Sequence, residues 1–272
     1  MTARKPETRI IQSGRGHRYL LDGQKVPGVT TILGDGYPKP ALINWAANIT
    51  AGYAVDHWDE LAGLNVSERL RRLERARWDT LGEAGERGRE VHTLGQRYLT
   101  GEPVTAPEGL EGHLDAYVRF VEEWQPVEVA VEAAVFSREY RYGGRFDLLA
   151  RLIDGMLWLL DFKTAKSGVF PDNALQLAGY RYADFYVLDG ELDEQGAAIE
   201  HPMPPVDRTG IVWLRADGYD LYPLEAGHEA WEVFGAVQQV AAFATSNRDD
   251  WIGDALRPPE PERDDQPDEA AA

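Results

Sequence analysis

The stretch GGRFDLLARLIDGMLWLLDFKTAK, residues 143–166, limits the fold more than any other part of the chain. Two β-rich runs, Arg145–Ile153 and Met156–Lys163, flank Asp154-Gly155 and read as a hairpin. Its second run is apolar on both faces, with Leu157 and Leu159 alternating against Trp158, Leu160 and Phe162. A strand of that kind is covered on both sides and belongs in the middle of a sheet. Asp147, Asp161 and Lys163 interrupt this apolar hairpin, and a charge buried there requires a partner or a task.

The turn decides whether the two carboxylates meet. A strict two-residue turn at Asp154-Gly155 pairs Asp161 with Leu148 and turns Asp147 to the other face. A three-residue loop, Ile153-Asp154-Gly155 with a left-handed Gly155, shifts the pairing by one and sets Asp147 opposite Asp161. Asp161 and Lys163 share a face in either case, about 7 Å apart along the strand. Paired aspartates are hard oxygen ligands for a magnesium ion that neutralises charge on a phosphoryl group, and a neighbouring lysine positions water. The plainer alternative, an exposed strand-end ion pair worth at most about 1 kcal/mol, fits poorly after the five apolar residues from Met156 to Leu160.

Around this hairpin the chain alternates between helical and extended patterns. A hairpin of two β-rich runs is expected over residues 17–33 around Asp22-Gly23, and a helix over Ala41–Ala54 after Pro38 and Pro40. Arginines at 69, 71, 72, 75 and 77 stud a helical run from Ser67, which is either a solvated face or a phosphate-facing one. A separate helix over Leu81–Leu99 carries His92, with Ala84, Val91, Leu94 and Tyr98 at helical spacing. Further helices are expected over Leu110–Trp124, Ala174–Val187 and Ala226–Phe243, a strand over Val127–Phe136 holding Glu132, and a hairpin of Ile211–Leu214 with Tyr219–Leu224 across Asp217-Gly218. That order gives an α/β sandwich around a mixed sheet.

Composition narrows the chemistry. The chain has no cysteine, which excludes disulfides, thiolate metal sites and cysteine nucleophiles. The opening MTARKPETRIIQ lacks the apolar core of a signal peptide, and no run approaches the roughly 20 apolar residues of a membrane helix, so a soluble, cytoplasmic protein without membrane contact is expected. A net charge of −18 argues against coating nucleic acid through bulk electrostatics, so any DNA contact is local. The stretch from Asp249 holds nine acidic and two basic residues, and residues 251–272 read as a disordered acidic tail behind a single domain over 1–250.

Four pieces in order, GREVHTLGQRYLTGE around His92, GGRFD ending at Asp147, LLDFK ending at Lys163, and QLAGY from Gln176 to Tyr180, resemble the PD-(D/E)xK nuclease superfamily, specifically its RecB-like exonucleases of phage type. The resemblance covers about Gly88–Tyr182 and implies a restriction-endonuclease-like core. It implies that Asp147 and Asp161 bind Mg²⁺ or Mn²⁺, with the Phe162 carbonyl and the His92 imidazole as further ligands. Glu132 is similar to a glutamate that many relatives carry beside the metal. Lys163 resembles the family lysine that stabilises the transition state, which fits electrostatic stabilisation better than base catalysis. Gln176 and Tyr180, four apart on one helix face, match a motif that borders the site and meets DNA. Some relatives hold an iron–sulfur cluster on four cysteines; this chain departs from them and matches the branch without a cluster.

The resemblance implies hydrolysis of DNA phosphodiesters that leaves a 5′-phosphate and a 3′-hydroxyl. It points to an exonuclease of recombination, repair or replication in a phage or bacterial setting, acting on single strands or duplex ends. The net charge of −18 leaves room for a recombination or replication partner protein that supplies basic surface. Two alternatives stay open: a structure-selective endonuclease with the same site, and a non-catalytic DNA-processing or partner-binding protein on the same fold.

Overall fold

The strand expected to be covered on both sides lies at the centre of a five-stranded sheet. The computed structural model describes residues 7–13 and 16–257, so most of the acidic tail lies outside the described residues. In chain order the elements are β1 (Arg9–Ser13), β2 (Gly16–Leu21), β3 (Gln24–Val26), α1 (Val29–Gly36), α2 (Pro40–Asp56), α3 (Trp58–Ala62), α4 (Val66–Leu99), α5 (Glu111–Trp124), β4 (Val127–Val131) and β5 (Ala134–Ser137). There follow β6 (Tyr142–Arg145), β7 (Leu148–Arg151), β8 (Leu157–Lys163), α6 (Asp172–Arg181), β9 (Phe185–Val187), β10 (His201–Pro202), β11 (Arg208–Arg215), β12 (Gly218–Pro223) and α7 (His228–Ala244).

The central sheet runs β12-β11-β8-β7-β4 and is mixed, because β8 and β11 are parallel while the other neighbours are antiparallel. A four-stranded sheet, β10-β9-β5-β6, and a three-stranded one, β1-β2-β3, stand beside it. Helices flank the central sheet. On one face Leu157, Leu159 and Ile211 pack with Val29, Leu177 and Phe234 of α1, α6 and α7. On the other, Trp158, Leu160, Phe162 and Val212 pack with Val91 of α4 and Tyr117 and Phe120 of α5. Each fully buried apolar side chain of this kind contributes about 1.5–3 kcal/mol, and the five at Leu157–Leu160 and Phe162 offset the desolvation of Asp161 between them.

The β7–β8 turn takes the three-residue form. Leu148 pairs with Leu160 and Arg151 with Leu157, the Leu152 amide donates to the Met156 carbonyl, and Gly155 is left-handed at φ 78°. That register carried one step further sets Asp147 opposite Asp161.

Several expectations change. Val127–Phe136 is not one strand: it breaks at Glu132, whose φ of 51° no extended residue adopts, into β4 and β5 in two different sheets. Its partner breaks at the same level, at Phe146-Asp147 between β6 and β7. The helix expected over Ala174–Val187 ends at Arg181, because Phe185–Val187 is drawn into the second sheet beside β5. The two helices expected from Ser67 and from Leu81 are one 34-residue helix, α4; the Thr80 hydroxyl bonds back to the Ala76 carbonyl at 3.0 Å and the ladder continues. Residues 29–33, read as extended, begin α1, and β1 and α3 were not foreseen. The late hairpin turns at Ala216-Asp217, since Arg215 pairs with Gly218. Among the described residues, no helix is long and apolar enough to cross a membrane.

Candidate metal centre

The joint where the β4–β7 hairpin splits between two sheets holds the charged residues. Pairing continues through the break, with the Glu132 amide donating to the Asp147 carbonyl at 2.8 Å and the Phe146 amide to the Ala133 carbonyl at 3.2 Å. Glu132 and Asp147, just past the ends of β4 and β7, and Asp161 of β8 thus stand side by side. Glu132 is not inside a strand, as the sequence suggested; its left-handed backbone marks the corner. A glutamate held there stores about 1–3 kcal/mol of strain, and such outliers concentrate at working sites.

His92 of α4 reaches this row from one face of the central sheet. Its Nδ1 lies 3.4 Å from Asp147 Oδ1 and 3.6 Å from Glu132 Oε1, and its Nε2 lies 3.0 Å from the Phe162 carbonyl oxygen. Both ring nitrogens therefore face oxygen acceptors. Burial opposes charge on the ring, but the carboxylates of Asp147 and Glu132 prevail and hold its pKa well above the usual histidine range. Asp147 Oδ2 accepts the Phe162 amide at 2.5 Å. Burial works against the ionised Asp147, yet His92, Lys163 and this amide keep its pKa below the ordinary value. Arg145 Nε lies 2.8 Å from Glu132 Oε2 and its guanidinium 3.8 Å from Asp189, so the arginine of the GGRFD run braces the glutamate from behind.

From the other face α6 brings Gln176 and Tyr180. The Gln176 amide donates both to Asp161 Oδ1 at 2.8 Å and to the Tyr180 hydroxyl at 3.0 Å. The Tyr180 ring needs room over β6: a Cβ on Gly144 would meet it at 2.6 Å, which gives the second glycine of GGRFD its reason. Asp161 Oδ2 sits 2.6 Å from Lys163 Nζ in a close ion pair. Burial first, and then the neighbouring Asp147 charge, push the Asp161 carboxyl up to about 6. Burial disfavours the Lys163 ammonium, but Asp161 and Asp147 outweigh it and keep the group charged.

All seven side chains expected at the site, and the Phe162 backbone, come together. They form two groups joined through that backbone. His92, Glu132 and Asp147 offer ligand atoms within 4.8 Å of one another, and Asp161 stands outside this set, turned toward Lys163 and Gln176. Arg145 stands two residues before Asp147, so the sequence already allowed it a carboxylate partner, and that partner is Glu132. An oxygen-rich set with one imidazole suits Mg²⁺ or Mn²⁺, and Asp161 Oδ2, buried against the Lys163 ammonium, is a further oxygen beside it.

No family model matches this chain, and no curated protein matches it. Among solved structures, the crystal structure of SSO0001 is similar over 80% of this chain and 76% of that one, with 12% identity and a TM-score of 0.34, too low to carry an argument.

Proposed function

We propose that the protein is a metal-dependent DNA nuclease with a restriction-endonuclease-like core, acting as an exonuclease. The observation that carries this reading is the row Glu132, Asp147 and Asp161 at the splitting hairpin, with Lys163 against Asp161. Burying three carboxylates, an imidazole and an ammonium together is unfavourable for stability, and a reaction that develops charge accounts for it.

In this reading His92, Glu132 and Asp147 hold Mg²⁺ or Mn²⁺, with Asp161 and the Phe162 carbonyl beside them. The ion would supply Lewis-acid neutralisation of a phosphate and activation of water. Lys163, held as ammonium by two carboxylates, stabilises negative charge growing on the phosphoryl oxygens and does not act as the base. Gln176 fixes Asp161 by its amide, and Tyr180 holds Gln176 in turn. Arg145 keeps Glu132 facing His92.

The test compares linear and circular single-stranded DNA with Mg²⁺, Mn²⁺ or EDTA, using wild type and Lys163→Ala. The expected result is cleavage of the linear substrate only, abolished by EDTA and slowed by about 10²–10³-fold in the variant. Cutting of the circle would replace the exonuclease reading by an endonuclease. Absence of cleavage on any DNA by folded wild type would overturn the nuclease reading.

A further inference from the structure

Beyond the charged row, the same sheet face continues into an aromatic cleft. In the parallel pairing of β8 with β11, Trp213 stands opposite Lys163 and Ile211 opposite Asp161; in the next pairing Tyr222 stands opposite Ile211. Paired residues share a face, so Trp213 and Tyr222 lie on the side from which Asp161 and Lys163 point. The Trp213 indole donates to the Ala165 carbonyl at 2.9 Å, two residues past Lys163. Val169, Phe170, Pro171, Trp213, Tyr222 and Leu224 line a cleft of about 400 Å³. Phe170 and Tyr222 are 44% and 41% exposed there.

The local charges do not suit a phosphate. The Arg215 guanidinium lies 4.3 Å from the Trp213 ring centre, but Asp217 and Asp220 already engage it at 3.1 and 2.6 Å. On a chain of net charge −18, bulk electrostatics oppose DNA, so contacts that do not depend on positive surface carry more of the affinity. Aromatic rings stacking on bases are such contacts, and they need a base whose faces are free.

We infer that the Trp213, Phe170 and Tyr222 cleft is a stacking subsite for an unpaired nucleobase of the DNA strand entering the site, which makes single-stranded DNA the preferred substrate. This inference rests on the nuclease reading. Trp213, held to the Ala165 carbonyl and by Arg215, is the fixed wall, and the exposed Phe170 and Tyr222 close on the base.

The experiment measures binding of labelled single-stranded and duplex oligonucleotides in EDTA by fluorescence anisotropy. It uses the full chain as wild type, as Trp213→Phe, and as the double variant Phe170→Ala/Tyr222→Ala, which leaves the Trp213 hydrogen bond intact. Kd for the single strand rises about tenfold or more in the double variant, rises less in Trp213→Phe, which keeps a ring but loses the hydrogen bond that fixes it, and does not change for the duplex. An oligonucleotide of abasic sites binds wild type and double variant equally. Unchanged single-strand affinity in the double variant, or equal losses on duplex and abasic strands, would overturn the subsite while leaving a cleaving wild type as a nuclease. A wild type that neither binds nor cleaves DNA would remove both readings.

Discussion

The splitting hairpin and the helical arm of α2 to α4 are both dense in charge, and they use it in opposite ways. In the hairpin Asp147 and Asp161 are buried, and Glu132 and Lys163 partly so, with their partners drawn from one another. In the arm, α2 has no buried residue, and α4 buries only Ala76, Val91, Leu94 and Gly95 over its length. Three of its arginines serve the helices themselves: Arg69 donates to the carbonyls of Leu61, Ala62 and Leu64, Arg72 pairs with Glu60, and Arg75 with Asp79. Charge density alone therefore does not mark a site. Burial of unlike charges against the interest of stability does.

That contrast can be broken by substitution. The largest separation of activity from stability is expected at the hairpin: Asp161→Asn/Lys163→Met, which replaces a buried ion pair by neutral groups, should lose cleavage by 10²-fold or more, on the order expected for a transition-state stabiliser. The same variant should melt at or above the wild-type temperature, because neutral replacement of a buried pair is often stabilising by about 1–4 kcal/mol. A large loss of stability would show the pair to be structural. Next, Glu132→Gln keeps a polar partner for Arg145 and should cost only about 0.5–1.5 kcal/mol in urea unfolding while activity falls; unchanged activity would remove Glu132 from the metal set. In the arm, Arg69→Ala should cost about 1–2 kcal/mol for the carbonyls it leaves unpaired. Smallest of all, Arg75→Ala should shift unfolding by less than about 0.5 kcal/mol. Neither arm variant should alter the rate of cleavage, and a loss there would give those arginines a role on DNA.

Much of the site was legible because it is local. Asp161 and Lys163 share a strand, Gln176 and Tyr180 a helix face, and a left-handed Gly155 fixes one register for Asp147. The corner was not legible: Glu132 sits in a backbone region that its residue type does not announce, so Val127–Phe136 reads as one strand until two sheets pull it apart. Similarly, Phe185–Val187 follows a helix closely enough to continue its pattern, and only β5 across the second sheet claims it. The aromatic cleft went unseen because Trp213 and Phe170 are 43 residues apart and meet only through the parallel β8–β11 pairing.

The most direct test of the central claim is single-turnover cleavage of end-labelled linear single-stranded DNA in Mg²⁺ by wild type and Asp147→Asn, both with cooperative melting. The expected result is cleavage by wild type that EDTA stops, with the variant slower by at least about 10²-fold. Equal rates for the two proteins, or a wild type whose cleavage persists in EDTA, would contradict a metal centre at the splitting hairpin.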